Sequence, residues 1–148
     1  MKNYNEKINW CVIENYPNYE VSSDGNVKNI KTGKILKQFN NGEGYLIVGL
    51  FNKGGRKPLK IHRLVARAFL EDTGFNPDGT RMIGRHVVNH KDHNRTNNNI
   101  NNLEWCDIRY NVEYSRNKPV ICLETQKIYK SGYEAERILG LINSSVSH

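Results

Sequence analysis

The stretch RHVVNHKDHNRTNNNINNLEWCD, residues 85–107, decides the reading of this chain, together with Asn111 just beyond it. Val87 and Val88 at one end and Leu103 and Trp105 at the other frame residues 91–102, a run too polar to sit inside a core. Apolar ends around a polar middle describe two short strands joined by a long loop. Asp107 is a good helix N-cap, and Ile108 and Val112 repeat at i and i+4 behind it, so a short helix carrying Asn111 is expected next. In the order strand, loop, strand, helix, a histidine ending the first strand and an asparagine one turn into the helix can face each other. The gap between them would admit a divalent ion and a phosphate.

Three polar positions stand out in that frame, His90, Asn102 and Asn111, separated by 12 and 9 positions. Set within VNHKD at 88–92, NN at 97–98 and NLEW at 102–105, they resemble the HNH endonuclease motif, the ββα-metal nuclease finger. The resemblance implies hydrolysis of phosphodiester bonds in double-stranded DNA, as a nick or a full cut, with one divalent ion. His90 would be the catalytic base, because imidazole titrates near pH 6.5 and can take a proton from water. Asn89 and Asn111 would hold the metal. Asn102 would fasten the loop and orient His90. Oxygen donors suit Mg²⁺ first, with Mn²⁺ as the second choice.

One departure bears on the metal. Many family members carry Asp where this chain has Asn89, and an amide oxygen brings no negative charge. The ion is therefore expected to bind well only when DNA phosphates complete its shell. The competing readings are a DNA-binding protein whose HNH site has decayed, and an adaptor whose basic face is merely solvated. His86, His90 and His93 do not make the tetrahedral set that structural zinc wants, so no such zinc is expected. A calcium loop starting at Asp92 fails, with Asn97 where Gly is needed and Leu103 where Glu is needed.

Charge adds a second line of argument. Residues 1–70 hold 12 Lys and Arg against 5 acids, and the remaining 78 residues hold 10 against 10, so the whole net charge of +7 lies in the first half. A basic half beside a neutral finger suits phosphate docking, since duplex affinity comes largely from counterion release. Cys11, Cys106 and Cys122 are odd in number and widely spaced, as expected of reduced thiols. No apolar run approaches the roughly 18 residues of a membrane helix. No membrane partner is expected, and the place of action would be the cytoplasm of a bacterial or phage-infected host cell.

Upstream, alternation and turn residues predict a small antiparallel sheet: 19–22 and 26–30 around Asp24 and Gly25, then 35–39, 45–51 and 57–61. Residues 10–35, with YEVSSDGNV at 19–27, resemble a nuclease-associated modular domain that precedes HNH motifs in phage and intron homing endonucleases. Residues 62–70 predict a helix with Leu64, Val65, Ala68 and Phe69 inward and Arg63 and Arg67 outward. Arg56, Lys57 and Lys60 would extend that cationic surface toward DNA, with Arg63 and Arg67. The glycines and proline of 71–84 read as a linker.

The expected class is therefore α+β: a β-rich basic module at 1–70, the ββα-metal finger at 71–117, and a C-terminal β-hairpin and helix at 118–148. That last part resembles the start of a helix-turn-helix repeat, with a helix over 133–139, whose recognition helix is barely begun at His148.

Overall fold

The computed structural model describes residues 7–117 and, beyond them, the strand backbone at Val120–Ile121 and Ile128–Tyr129. The chain opens with β1 (Trp10–Ile13), β2 (Tyr16–Ser22) and β3 (Val27–Asn29), an antiparallel sheet in that order. Asn15 turns β1 into β2 at φ 67, a left-handed conformation that Asn tolerates better than most residues. Tyr16, Tyr19 and Val21 of β2 are buried, and across the register Val21 meets Val27. Lys28 pairs with Glu20 at 3.1 Å and stands over the Trp10 ring.

A second antiparallel sheet holds β4 (Phe39–Asn40), β5 (Leu46–Asn52) and β6 (Gly55–Lys60). The strands thus form two sheets where the sequence predicts one. Of the expected strand over 35–39, Phe39 opens β4 and Ile35 makes only an isolated bridge to Lys28, while Leu36 packs against the core. In β5 the alternation places Val48 and Leu50 in the core and leaves Phe51 outside.

Helix α1 (Ile61–Phe69) follows β6 directly, one residue earlier than predicted. Ile61, Leu64, Val65 and Ala66 are buried in it, with Ala68 and Phe69 packed at the edge. It touches both sheets and the hairpin that follows. One apolar cluster therefore runs from Ile13 through α1 to Val88 and Leu103. It draws on residues from both sides of the 71–84 stretch.

That stretch is tied down. Phe75 bridges Arg81, and the buried Asn76 receives the Asp107 N–H at 2.8 Å and donates to the Asp107 carboxylate at 3.2 Å. Then come β7 (His86–His90), a 3₁₀ turn at Ile100–Asn102, β8 (Leu103–Asp107) and α2 (Ile108–Arg116). Asp107 caps α2 by accepting from Tyr110 N–H at 2.8 Å, as the sequence predicts. Strands β9 (Val120–Ile121) and β10 (Ile128–Tyr129) pair antiparallel at the place of the expected C-terminal hairpin. The helix expected over 133–139 lies outside the described residues. No helix among the described residues is long and apolar enough to cross a membrane.

Candidate active site

The β7–β8 hairpin sets Asn89 opposite Glu104 and His90 opposite Leu103. Residues 91–102 leave and return between the last pair. This loop is less solvated than its composition predicts, because Asn98 and Asn102 are both buried. Asn102 is satisfied entirely within the loop: its Oδ1 accepts from Asp92 N–H at 3.0 Å, and its Nδ2 donates to Asp92 Oδ1 and to the Asn97 carbonyl. The expected loop-fastening contacts are therefore present. The expected contact with His90 falls to another residue, since the His90 Nε2 lies 2.8 Å from Asn98 Oδ1.

His90, Asn89 and Asn111 line one cleft of about 430 Å³, with Tyr45, His93 and Arg95 also on its walls. Helix α2 packs on both strands of the hairpin and so delivers Asn111 to the same opening as His90. An amide oxygen can only accept, so His90 Nε2 carries the proton and Nδ1 holds the lone pair. Burial lowers the His90 pKa, outweighing the Asn98 hydrogen bond and the nearby Asp92, which raise it; Arg95 lowers it further. The imidazole is consequently neutral near pH 7 and able to accept a proton.

His90 sits in a cluster of rings. The His62 centroid lies 5.0 Å from it and Tyr45 6.1 Å, while Tyr45 stacks on His62 at 5.0 Å. Burial pushes the His62 pKa down to about 3, helped by the nearby His90, Arg63 and Lys60, and its Nδ1 has no hydrogen-bond partner. Unfolded chain takes up a proton at this residue between pH 6.5 and about 3 that the folded chain refuses. Its contribution to stability is whole above that window and is lost as pH falls through it. The slope reaches up to about 1.4 kcal/mol per pH unit. Urea midpoints measured across the window should fall with pH in the native chain and fall less steeply in His62→Phe.

The donor set suits a hard cation held partly by its substrate. Asn89 donates its Nδ2 to Glu104 Oε1 at 2.8 Å, which commits the amide nitrogen and leaves the amide oxygen as the remaining ligand atom. Glu104 also brings into contact with this position the negative charge that Asn89 lacks. Among the described residues no three His, Cys, Asp or Glu side chains cluster as a metal cage. The neighbouring histidines have other partners, His86 an Asp72 carboxylate at 2.5 Å and His93 the Tyr114 ring at 4.7 Å. Cys106 is buried and its thiol is pushed up to about 12 by burial, so it offers no thiolate.

The five cations predicted to meet DNA do not share one surface. Arg56 and Lys60 point to one side of β6, with the Arg56 guanidinium laid over Gly49. Lys57, one residue along the pleat, points to the other side and lines a separate cavity of about 610 Å³ with Arg67. Arg63 lies near Arg85 and Arg67, and its partial burial, with those like charges, lowers its pKa. None of the five lines the cleft, but Lys60 reaches it through Tyr45. Lys60 Nζ and the Arg95 guanidinium each sit 4.7 Å from the centre of that ring. Arg95, Tyr45, Asn98 and Glu104 are the members that sequence reading missed. Only Glu104 had a signal, since pairing His90 with Leu103 puts it opposite Asn89.

The fold has known relatives. Residues 9–51 match the NUMOD4 motif. A solved structure described as DNA binding and cleavage by the HNH homing endonuclease I-HmuI superimposes with a TM-score of 0.61 and 33% identity, over 90% of this chain and 84% of that one. The chain belongs to the HNH homing endonuclease family. Among relatives of this HNH chain, DNA endonuclease I-HmuI of Bacillus phage SP01 is 41% identical over 107 residues, 72% of this chain and 56% of its own length. An uncharacterized HNH endonuclease of Acanthamoeba polyphaga mimivirus, L245, is 39% identical over 107 residues, 72% of this chain and 29% of its own length. The chain thus spans about half or less of these curated relatives.

Proposed function

We propose that this chain is a metal-dependent endonuclease that hydrolyses phosphodiester bonds of double-stranded DNA, with His90 as the base. The observation that carries the reading is the convergence of His90, Asn89 and Asn111 on one cleft beside Arg95. Nδ1 of His90 takes the proton of the attacking water, while Asn98 keeps the proton on Nε2. The oxygens of Asn89 and Asn111 hold the divalent ion, Mg²⁺ in preference to Mn²⁺. When bound, that ion supplies the charge that stabilises the scissile phosphate and the leaving oxygen. Asn102 keeps the loop in shape. Lys60, Arg63 and Arg95 steer the duplex toward the cleft, with Arg56 further along the same sheet face, and Lys57 and Arg67 add charge on the far side. Action in the cytoplasm of a bacterial or phage-infected cell fits the free thiols at Cys11 and Cys106.

The test is cleavage of a pool of supercoiled plasmids bearing phage and bacterial inserts, run with Mg²⁺, with Mn²⁺ and with chelator. Nicked or linear product should form only with metal. DNA binding should persist in chelator and weaken with salt, with a log–log slope of about −0.9 for each phosphate contacted. Salt-sensitive binding without cleavage at any metal concentration would instead support a decayed site built on Asn89. Absence of binding at low salt would sink both.

A further inference from the structure

Asn98 is an expensive residue to bury for its own sake. It is 4% exposed, makes one side-chain hydrogen bond, to His90, and leaves its Nδ2 without a partner. A buried donor without an acceptor is destabilising, so an apolar side chain would serve the core better here. What Asn98 offers is its acceptor oxygen, aimed at His90 Nε2.

Something must hold that oxygen in place, and the neighbour is the turn of the N-terminal hairpin. Gly25, at φ 93, lies against Asn98 so closely that a Cβ on it would stand 3.0 Å from Asn98 Cβ and 3.1 Å from the Asn98 carbonyl oxygen. Beside this contact Ile100 N–H donates to the Ser23 carbonyl at 2.8 Å, joining the loop to the same turn. The turn is itself braced. Ser22, fully buried, donates its hydroxyl to Asp24 and accepts from Asn26 N–H, while Gln38 Nε2 donates to the Gly25 carbonyl.

We infer that this turn, through Gly25, is a positioning element of the active site: it backs Asn98, and Asn98 fixes the ring and tautomer of His90. The N-terminal motif would then be part of the catalytic centre as well as a neighbour of it. The inference rests on His90 being the base.

Asn98→Ala and Gly25→Ala test it, with Gly25→Asn as a milder form, since Asn accepts positive φ yet carries the Cβ. Gly33→Ala is the control: it has a similar φ of 70 but nothing within 4 Å of its would-be Cβ. Asn98→Ala removes the unpaired Nδ2 but leaves His90 Nε2–H without its acceptor, so the melting temperature should change little, with DNA affinity in chelator and KM unchanged. Its kcat should fall about 100-fold, the scale of a misplaced reacting group. Asn98→Asp, which keeps an acceptor oxygen, should recover most of that loss. Both Gly25 variants should lower kcat beyond Gly33→Ala, and should add little in an Asn98→Ala background.

Wild-type cleavage by Asn98→Ala overturns the inference, as does a kcat loss matched by a falling melting temperature. So does a Gly25→Asn that cleaves like Gly33→Ala, or a Gly25 effect undiminished when Asn98 is already gone. If His90→Ala still cleaves, the proposed function fails first. If His90→Ala is inactive while Asn98→Ala is intact, only this inference fails.

Discussion

His90→Ala should lower metal-dependent cleavage by about 10²- to 10⁴-fold, the range of a positioned general base, with DNA affinity in chelator unchanged. His90 is 5% exposed and lines the cleft, so its removal is expected to touch the chemistry more than the docking. The pH profile of the native chain gives the same assignment a second reading. Because burial lowers the His90 pKa, the rise of kcat with pH should come below the ordinary histidine value of 6.5, the base being already deprotonated at neutral pH. Single-turnover rates against pH, for native chain and His90→Ala, check both points. An unchanged rate in the variant, or an acidic limb well above 6.5, would remove His90 from the mechanism.

Glu104→Gln should raise the Mg²⁺ or Mn²⁺ concentration needed for half-maximal cleavage by about 10- to 100-fold, the usual cost of changing a group that supports a metal ligand. The substituted amide oxygen can still accept from Asn89 Nδ2, so the geometry at 2.8 Å is preserved and only the charge is removed. Titration of Mn²⁺ binding by electron paramagnetic resonance, with and without duplex, reads the effect apart from turnover. Asn89→Asp supplies the converse. It places the charge on the ligand itself and should restore metal affinity in the Glu104→Gln background. If Glu104→Gln binds metal like the native chain, the carboxylate is not part of the ion's surroundings.

The finger was legible in sequence because its signals are local. Asp107 as a cap, the apolar ends of β7 and β8, and His90 at a strand terminus each follow from residues within a few positions. The strand predicted over 45–51 is likewise present, as β5. What sequence could not resolve is which of several like residues does what. Residues 97–99 are all asparagine, and only packing against Gly25 singles out Asn98 as the one facing His90. The family resemblance gives the orienting role to Asn102, whose bonds go to Asp92 and Asn97. The cations were misjoined for a related reason: clustering in sequence hides the pleat that turns Lys57 away from Arg56 and Lys60. Tyr45 and Arg95 reach the cleft from 50 positions apart, and nothing in either stretch announces the meeting.

The apolar cluster that α1 shares with both sheets and the hairpin sets a limit on how such nucleases can be recombined. A crossover at 71–84 that kept the finger and discarded what precedes it would uncover Val88 and Leu103 together with the groups around His90. Gene fusions that preserve the fold would have to carry the stretch from β1 to α2 as a single inherited cassette.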